Sequence, residues 1–224
     1  KETLDQFNML KNFQKRILTS LILFLSLYFM FANKYAMGFL LMLIGIFAIL
    51  EFFNMTTKIF KKKKVKQFFF NIIFIIYIFF FCTYFLILSS FLHLKILILI
   101  VLLTCAASDI GGFIFGKILK GPKLTKISPN KTISGAIGSL IFSSIFILLF
   151  TFYLTKSLDL NIIIIGFIIS ISCQIGDLFF SFLKRKSFLK DSGNFLPGHG
   201  GILDRVDGLL LGIPVGFITF LIFY

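Results

Sequence analysis

Long apolar stretches separated by short polar segments run through the whole chain. A helix needs roughly 20 apolar residues to cross the hydrocarbon core of a bilayer. On that basis we predict seven membrane spans, at residues 17–32, 36–55, 68–91, 94–118, 133–154, 161–183 and 208–223. The pattern predicts an all-α protein, a polytopic transmembrane helical bundle of about seven spans.

The composition supports a membrane protein. The 224 residues are 58% hydrophobic, with a mean hydropathy of +1.01, and a soluble domain of this length would not be so apolar. No small-residue cleavage site follows the first apolar run, so we expect no removable signal peptide. The cysteines Cys82, Cys105 and Cys173 lie inside apolar stretches, without the spacing of metal ligands or of a disulfide framework. We interpret them as small core residues.

The basic residues orient the spans. The formal net charge is +14, and all but three of the 23 Lys and Arg residues fall on one side of the predicted membrane. The exceptions are Lys34, Lys95 and Lys156. The positive-inside rule then predicts a multi-pass protein of the cell inner (plasma) membrane with a cytoplasmic N-terminus. The three long loops, 56–67, 119–132 and 184–207, face the same side.

The run "KIFKKKKVK" at 58–66 carries six cations and no acid. We interpret it as a topology determinant that also contacts anionic headgroups. The expected partner of these cations is a lipid bilayer, and no nucleic acid is expected.

Three acidic residues interrupt the apolar spans. Asp109 lies in the fourth span and Asp177 late in the sixth. An ionised Asp near the centre of a membrane helix costs about 2.5–3.5 kcal/mol, so it usually faces a cavity, a partner or an ion. We favour a site role for both, with a buried polar contact as the alternative. Glu51, at the cytoplasmic end of the second span, is interpreted as reaching the interface beside Lys58.

Helical spacing places further residues on the same helix faces as Asp177 and Asp109. Asp177, Ser181 and Lys184 share one helix face, with Arg185 adjacent. In the fourth span, Gly112 and Gly116 lie on the face of Asp109 in a small-xxx-small pattern that permits close helix approach. Packing alone explains these glycines, but close approach would also let another helix bring a carboxylate near Asp109.

Two polar segments have the residue types that bind phosphate. Loop 119–132 carries four cations and no acid, and its Lys131 and Thr132 precede the fifth span. A helix N-terminus suits phosphate, although a generic basic loop would also satisfy the positive-inside rule. Segment 190–207, "KDSGNFLPGHGGILDRVD", alternates carboxylates with cations around a tight turn.

This second segment predicts a Mg²⁺ site with bound phosphates, because hard oxygens hold the metal and cations neutralise the phosphate charge. Asp204 and Asp207 are three residues apart and share one face if the segment is helical. His199 could bind phosphate, transfer protons or only brace the turn.

At these residues the chain resembles the phosphatidate cytidylyltransferase family, the CDP-diacylglycerol synthases. The residues that match the family signature are Ser181, Lys184, Arg185, Lys190, Asp191, Gly193, Leu196, Pro197, His199, Gly200, Gly201, Ile202 and Asp204–Asp207. The blocks "SDIGGFIFGK" (108–117) and "ISPNKTISGAIG" (127–138) are also similar to the family, in its order. The resemblance is sharp over about 108–208 and weak before residue 100.

The resemblance implies transfer of CMP from CTP to phosphatidic acid, giving CDP-diacylglycerol and pyrophosphate for phospholipid biosynthesis. It implies Mg²⁺, alone or with a second cation, bound at Asp177 and Asp204, an active site on the cytoplasmic side and, as is often found in the family, a homodimer. It also divides the chain into an N-terminal region, 1–100, with three membrane helices and the start of a fourth, and a catalytic core, 101–224.

We assign site residues on this combined basis. The expected catalytic residues are Asp177, Asp204, Asp207, Lys184 and Arg205. The expected substrate-binding residues are Ser128, Lys131, Thr132, Ser181, Arg185, Lys190, His199 and Asp109. Among these, the cations should neutralise the triphosphate and the lipid phosphate, and the residues at 128–132 should form a second phosphate cradle.

The chain departs from the family pattern at three places. The family usually has Glu where Phe180 stands, and often Trp-Glu where Ile133 and Ser134 stand. It more commonly has Ala-Tyr at Gly112 and Phe113. The chain is also short for the family, lacking one or two N-terminal spans.

Three other functions are considered. The first is a CTP-dependent lipid kinase, and the second is a transporter, which should show internal repeats. The third is a CDP-alcohol phosphotransferase, whose motif spacing does not continue into "LLLGIPVG".

Overall fold

Seven helices make up nearly all of the described chain. The structure, a computed structural model, describes the backbone of residues 2–197 and 200–223, with side chains from residue 17 onward. The helices are α1 (Glu2–Ala32), α2 (Lys34–Ile59), α3 (Lys64–Ser89), α4 (Leu92–Leu119), α5 (Ile133–Thr155), α6 (Asn161–Lys186) and α7 (Leu203–Phe223). Within the described ranges the only β pairings are two isolated bridges. The predicted all-α class is confirmed.

Six of these helices, α2 to α7, are long and apolar enough to cross a membrane. The apolar part of α1, Ile17–Ala32, is a shorter apolar helix and corresponds to the first predicted span. Length and composition therefore support a polytopic helical membrane protein, as predicted.

The chain forms two compact units. The first unit contains Lys1–Ile87 and Lys186–Arg205, and so combines α1 to α3 with the polar segment before α7. Its core includes the stacked rings of Phe52 and Phe74, with centroids 3.9 Å apart, and the hydrogen bond from Thr56 Oγ1 to Asn71 Oδ1 at 2.7 Å. The predicted division into an N-terminal region, 1–100, and a catalytic core, 101–224, stays a prediction, because the two compact units reflect packing and do not test function.

The second unit contains Leu88–Arg185 and Val206–Tyr224. Its α4 and α5 pack through glycines: a Cβ added at Gly135 would lie 2.8 Å from the carbonyl oxygen of Gly112. A Cβ at Gly111 would lie 2.9 Å from the carbonyl oxygen of Gly138. The close helix approach predicted from the glycines of α4 is confirmed, and α5 is the helix that makes it.

Candidate active site

The first polar contact of the second unit joins α6 to the loop before α5. Lys131 Nζ donates to Asp177 Oδ2, and the two side chains are 32% and 26% exposed. The loop backbone holds Lys131 in place, because Leu124 N–H donates to the Lys131 carbonyl at 2.8 Å and Ile133 N–H donates to the Pro122 carbonyl at 3.0 Å. Lys131, on this ordered loop, therefore neutralises the carboxylate of Asp177, which lies within the apolar stretch of α6.

A second pair lies about two turns further along α6. Lys184 Nζ is 3.7 Å from Asp207 Oδ2 on α7, and the side chains are only 13% and 11% exposed. Asp207 also lies within electrostatic range of Asp177, and Asp109 of α4 lies within electrostatic range of Asp177 and Lys131. We call these five residues the carboxylate–lysine cluster. The second unit thus brings together three carboxylates and two ammonium groups.

A cavity of about 560 Å³ opens beside this cluster within the second unit. Its lining combines acidic, basic and small residues: Asp109, Gly112, Phe113, Gly116, Lys117, Leu124, Asn130, Lys131, Thr132, Gly135, Ala136, Ser139, Gln174 and Asp177. The glycines lie where α4 and α5 approach each other, so they leave room that larger side chains would fill. The cavity therefore has the size and polarity of a small-ligand site.

The N-terminus of α5 borders this cavity. Thr132 is its N-cap, and Thr132 Oγ1 accepts from Gly135 N–H at 3.1 Å. Ile133 N–H is also paired, with the Pro122 carbonyl. Two of the first N–H groups of α5 are therefore used inside the chain, so an anion here would depend mainly on the lysines and on the positive end of the helix dipole.

The other predicted residues of this unit surround the same loop. Ser128 shapes it, since its N–H donates to Thr125 Oγ1 at 3.2 Å and its carbonyl accepts from Lys131 N–H at 3.1 Å. Arg185 is exposed, and its Nε donates to the Ile127 carbonyl at 3.4 Å, which ties the loop to the end of α6. Ser181 lies on α6 between Asp177 and Lys184, as the spacing predicted.

Two of the family departures are visible in this unit. Phe180, where the family usually has Glu, is 4% exposed and packs edge-on against the Phe179 ring at 5.2 Å. Ser134 donates to the Lys120 carbonyl at 3.3 Å. Both positions therefore serve packing or loop structure here and add no carboxylate to the cluster.

In the first unit, the loop before α7 is built around Asp204. Asp204 Oδ2 accepts from Ser192 N–H at 2.8 Å and from Gly201 N–H at 3.0 Å. Gly200 has φ +83°, and a Cβ there would lie 3.1 Å from Asp204 Oδ2, so this position needs glycine. Lys190 and Arg205 are exposed. His199 lies outside the described residues.

The segment "LDRVDG" is helical, which is the condition under which Asp204 and Asp207 share one face. α7 begins at Leu203 and carries both Asp204 and Asp207 near its start, three residues apart. The predicted span began at 208, five residues later, because hydropathy does not detect a polar first turn.

Glu51 was interpreted wrongly from the sequence. Instead of reaching the interface beside Lys58, it is 4% exposed and accepts three hydrogen bonds. The donors are Ser192 Oγ at 2.7 Å, Ile202 N–H at 2.9 Å and Leu203 N–H at 2.9 Å. The signal that could have identified it is the one used for Asp109 and Asp177, namely a carboxylate inside an apolar span.

The described residues contain no group of three or more His, Cys, Asp or Glu side chains arranged to hold a metal ion. Mg²⁺ does not need such a group, because it commonly binds through one or two carboxylates, with waters and substrate phosphates completing its shell.

Comparison with known proteins agrees with the resemblance seen in the signature residues. A family model described as the cytidylyltransferase family matches residues 2–223. The chain belongs to the cytidylyltransferase family. The match extends through α1 to α3, where the signature residues do not reach.

Individual relatives of the chain carry a more specific name. The phosphatidate cytidylyltransferase of Helicobacter pylori strain J99 is 42% identical over 115 residues, which are 50% of this chain and 42% of the relative. That of Staphylococcus haemolyticus is 43% identical over 120 residues, 53% of this chain and 46% of the relative. That of Rickettsia bellii is 40% identical over 117 residues, 49% of this chain and 51% of the relative. The chain spans about half the length of the curated relatives it matches.

Proposed function

We propose that this cytidylyltransferase transfers CMP from CTP to phosphatidic acid, giving CDP-diacylglycerol and pyrophosphate for phospholipid biosynthesis. The observation that carries the proposal is the carboxylate–lysine cluster. Two lysines and three carboxylates meet at helices that are otherwise apolar enough to lie in a membrane. Charged groups in this setting suit a reaction between two phosphate-bearing substrates, one of them a lipid. The name of the relatives, phosphatidate cytidylyltransferase, is the basis for choosing these two substrates.

In the proposed reaction, the protein positions the two substrates and offsets their negative charge, and no strong general base is required. An oxygen of the lipid phosphate attacks the α-phosphorus of CTP, forming a new P–O–P link. The bond from the α-phosphorus to the bridging oxygen breaks, and pyrophosphate leaves with that electron pair. Lys131 and Lys184 would offset the negative charge of the two phosphate groups as they approach, with Arg185, Lys190 and Arg205 assisting.

We propose Asp177 and Asp204 as carboxylate ligands of Mg²⁺, alone or with a second cation, and Asp207 as a supporting carboxylate. The residues fit this metal, because carboxylate oxygens are hard ligands and the triphosphate can complete the shell. Mg²⁺, when bound, would neutralise charge on the triphosphate. Asp177 is held by Lys131, and Asp204 by the backbone of its own loop, so each carboxylate is oriented before a ligand arrives.

The remaining predicted residues would contact substrate. Asp109, Lys131 and Thr132 line the cavity, and Ser128 shapes the loop beside it. We propose this cavity as a phosphate-binding region of the substrate site. Ser181 and His199 keep the substrate-binding roles assigned to them in the sequence analysis.

We further propose that the active site faces the cytoplasm from the inner membrane and that the enzyme is a homodimer. The support for orientation is the one-sided distribution of Lys and Arg along the chain. The lipid would then reach the site with its acyl chains in the bilayer, and CTP would arrive from the cytoplasm. The support for the homodimer is the family resemblance.

The test is an assay of the purified chain in detergent–lipid micelles with Mg²⁺ and CTP. Phosphatidic acid should be converted to CDP-diacylglycerol, identified by mass spectrometry, with release of one pyrophosphate per lipid. Diacylglycerol in place of phosphatidic acid is the matched control, because a CTP-dependent kinase would phosphorylate it. Conversion of diacylglycerol to phosphatidic acid, without any CDP-diacylglycerol, would overturn the proposal.

A further inference from the structure

The carboxylate of Glu51 binds two different parts of the polar segment before α7. Oε1 accepts from Ile202 N–H at 2.9 Å, and Oε2 accepts from Leu203 N–H at 2.9 Å and from Ser192 Oγ at 2.7 Å. Two of these donors are backbone amides at the start of α7, where a negative charge is favoured by the helix dipole. The third, the Ser192 hydroxyl, lies at the other end of the loop. Glu51 thus joins the two ends of loop 192–203 to α2, which lies about 150 residues earlier in the chain.

Two signature glycines leave the room that this carboxylate occupies. A Cβ added at Gly193 would lie 2.5 Å from Glu51 Oε1, and one at Gly201 would collide with the Glu51 carboxylate and the Ser192 hydroxyl. Such distances are closer than side-chain atoms tolerate, so an alanine at either position would displace the carboxylate. These glycines are part of the segment that resembles the family signature, whereas Glu51 lies outside it.

Ser192 connects Glu51 to Asp204. Its hydroxyl donates to Glu51 Oε2, while its backbone N–H donates to Asp204 Oδ2 at 2.8 Å. Gly201 N–H, directly beside the Glu51 carboxylate, makes the other bond to Asp204 Oδ2 at 3.0 Å. Ser192, which donates one of these bonds, is therefore held by Glu51, and Gly201, which donates the other, directly precedes Ile202, whose N–H binds Glu51.

We infer that Glu51 is a positioning residue for CMP transfer: through Ser192, Ile202 and Leu203 it holds the two ends of loop 192–203 so that the Asp204 carboxylate is oriented. The inference rests on the proposed function for its kinetic consequence, but its structural half does not depend on activity. Both backbone partners are donors, so both Oε atoms must accept. A carboxylate can do so, whereas a glutamine presents an NH₂ group to at least one of those donors.

The experiment compares the full chain with its Glu51→Gln variant in the same micelles, well below the melting temperature. We expect kcat to fall about 10- to 100-fold, the size of effect seen when residues that support metal ligands are changed. The KM for CTP should change less than about threefold, because Glu51 orients Asp204 and leaves the CTP-binding cations in place. Amide hydrogen exchange in the peptide covering 192–203 should become at least about 10-fold faster.

Asp159→Asn is the matched control. Asp159 also accepts a backbone N–H at the start of a helix, from Asn161 at 2.9 Å, but it is only partly buried and lies outside the site. This variant should keep wild-type kcat and wild-type exchange at 192–203. Exchange in α5 should stay the same in all variants, which separates a local opening from general unfolding.

A lower kcat without faster exchange would overturn the inference, and so would unchanged kcat and exchange in an active enzyme. If Glu51→Gln does not fold, the Ser192→Ala variant replaces it in the same experiment, because it removes one of the three donors to Glu51. It should lower kcat and the protection of the 192–203 amides from exchange, each by less than is expected for Glu51→Gln. If the wild-type chain transfers no CMP, the proposed function fails, while faster exchange in Glu51→Gln would still support the loop contact and unchanged exchange would reject it.

Discussion

Gly176 of α6 lies directly against the backbone carbonyl of Asp207 in α7. A Cβ added at Gly176 would be 2.5 Å from that oxygen and 3.2 Å from the Cα of Gly208. Backbone atoms cannot rotate out of the way as a flexible side chain can, so the two helices would have to separate. This contact sets how closely Asp207 approaches Asp177 and Lys184, and so ties helix packing to the chemistry of the cluster.

The substitution Gly176→Ala should therefore reduce both stability and turnover. We expect a loss of about 1–3 kcal/mol from overpacking and a lower kcat, since the carboxylates are pushed apart. Thermal unfolding in detergent and initial rates measure the two effects. Gly38→Ala is the control, because its added Cβ would meet only Leu86 Cδ2, at an ordinary 3.8 Å. Equal behaviour of the two variants would contradict this account of the α6–α7 contact.

Asp177→Asn removes a negative charge while keeping the size of the side chain. Lys131 loses its carboxylate partner and the proposed metal loses a ligand, so kcat should fall on the order of 10²-fold or more. Adding Lys131→Gln should cost much less in this background than in the wild type, because the two residues act as a pair. Steady-state rates over a Mg²⁺ series check both points. Near-wild-type turnover of Asp177→Asn at saturating Mg²⁺ would show that the metal assignment is wrong.

Thr132 stabilises the first turn of α5 beside the cavity. Thr132→Ala removes the oxygen that accepts from Gly135 N–H and should cost about 1 kcal/mol of folding free energy. Thr132→Ser keeps that oxygen and should retain most of the stability. Thermal unfolding of the two variants side by side tests the difference. If serine and alanine destabilise equally, the cap is not what holds the turn.

The proposed orientation can be tested with single cysteines in a variant whose three native cysteines are replaced by alanine. Phe188 is 95% exposed in the segment after α6, and Ser157 is exposed in the segment between α5 and α6. A membrane-impermeant maleimide should label Ser157→Cys in intact cells. It should label Phe188→Cys only after permeabilisation. The opposite pattern would reverse the topology.

Most of the helices could be predicted from the sequence because apolar length alone identifies a membrane span. α5 was expected at 133–154 and ends at Thr155, and α6 was expected at 161–183 and ends at Lys186. The start of α7 was missed because its first turn is polar and its backbone amides are satisfied by Glu51 rather than by a local cap. Hydropathy carries no information on that partner, which lies on α2.

The candidate site was predicted in part. Misplaced charges and the family resemblance identified Asp109, Asp177 and Asp207 as candidates before their proximity was known. The pairing of Asp177 with Lys131 could not be predicted, because the residues are 46 positions apart and only the folded loop brings them together. Glu51 was misjudged for a related reason, since a position near the end of a span is compatible with either an exposed or a buried carboxylate.

The most direct test of CMP transfer follows both ends of the triphosphate. Parallel reactions contain phosphatidic acid and Mg²⁺ with CTP labelled on either the α- or the γ-phosphate. The account predicts that the α-label enters the lipid while the γ-label leaves as pyrophosphate. Entry of the γ-label into the lipid would make the protein a kinase, and absence of both labels from the lipid, with the protein folded, would contradict the proposed activity.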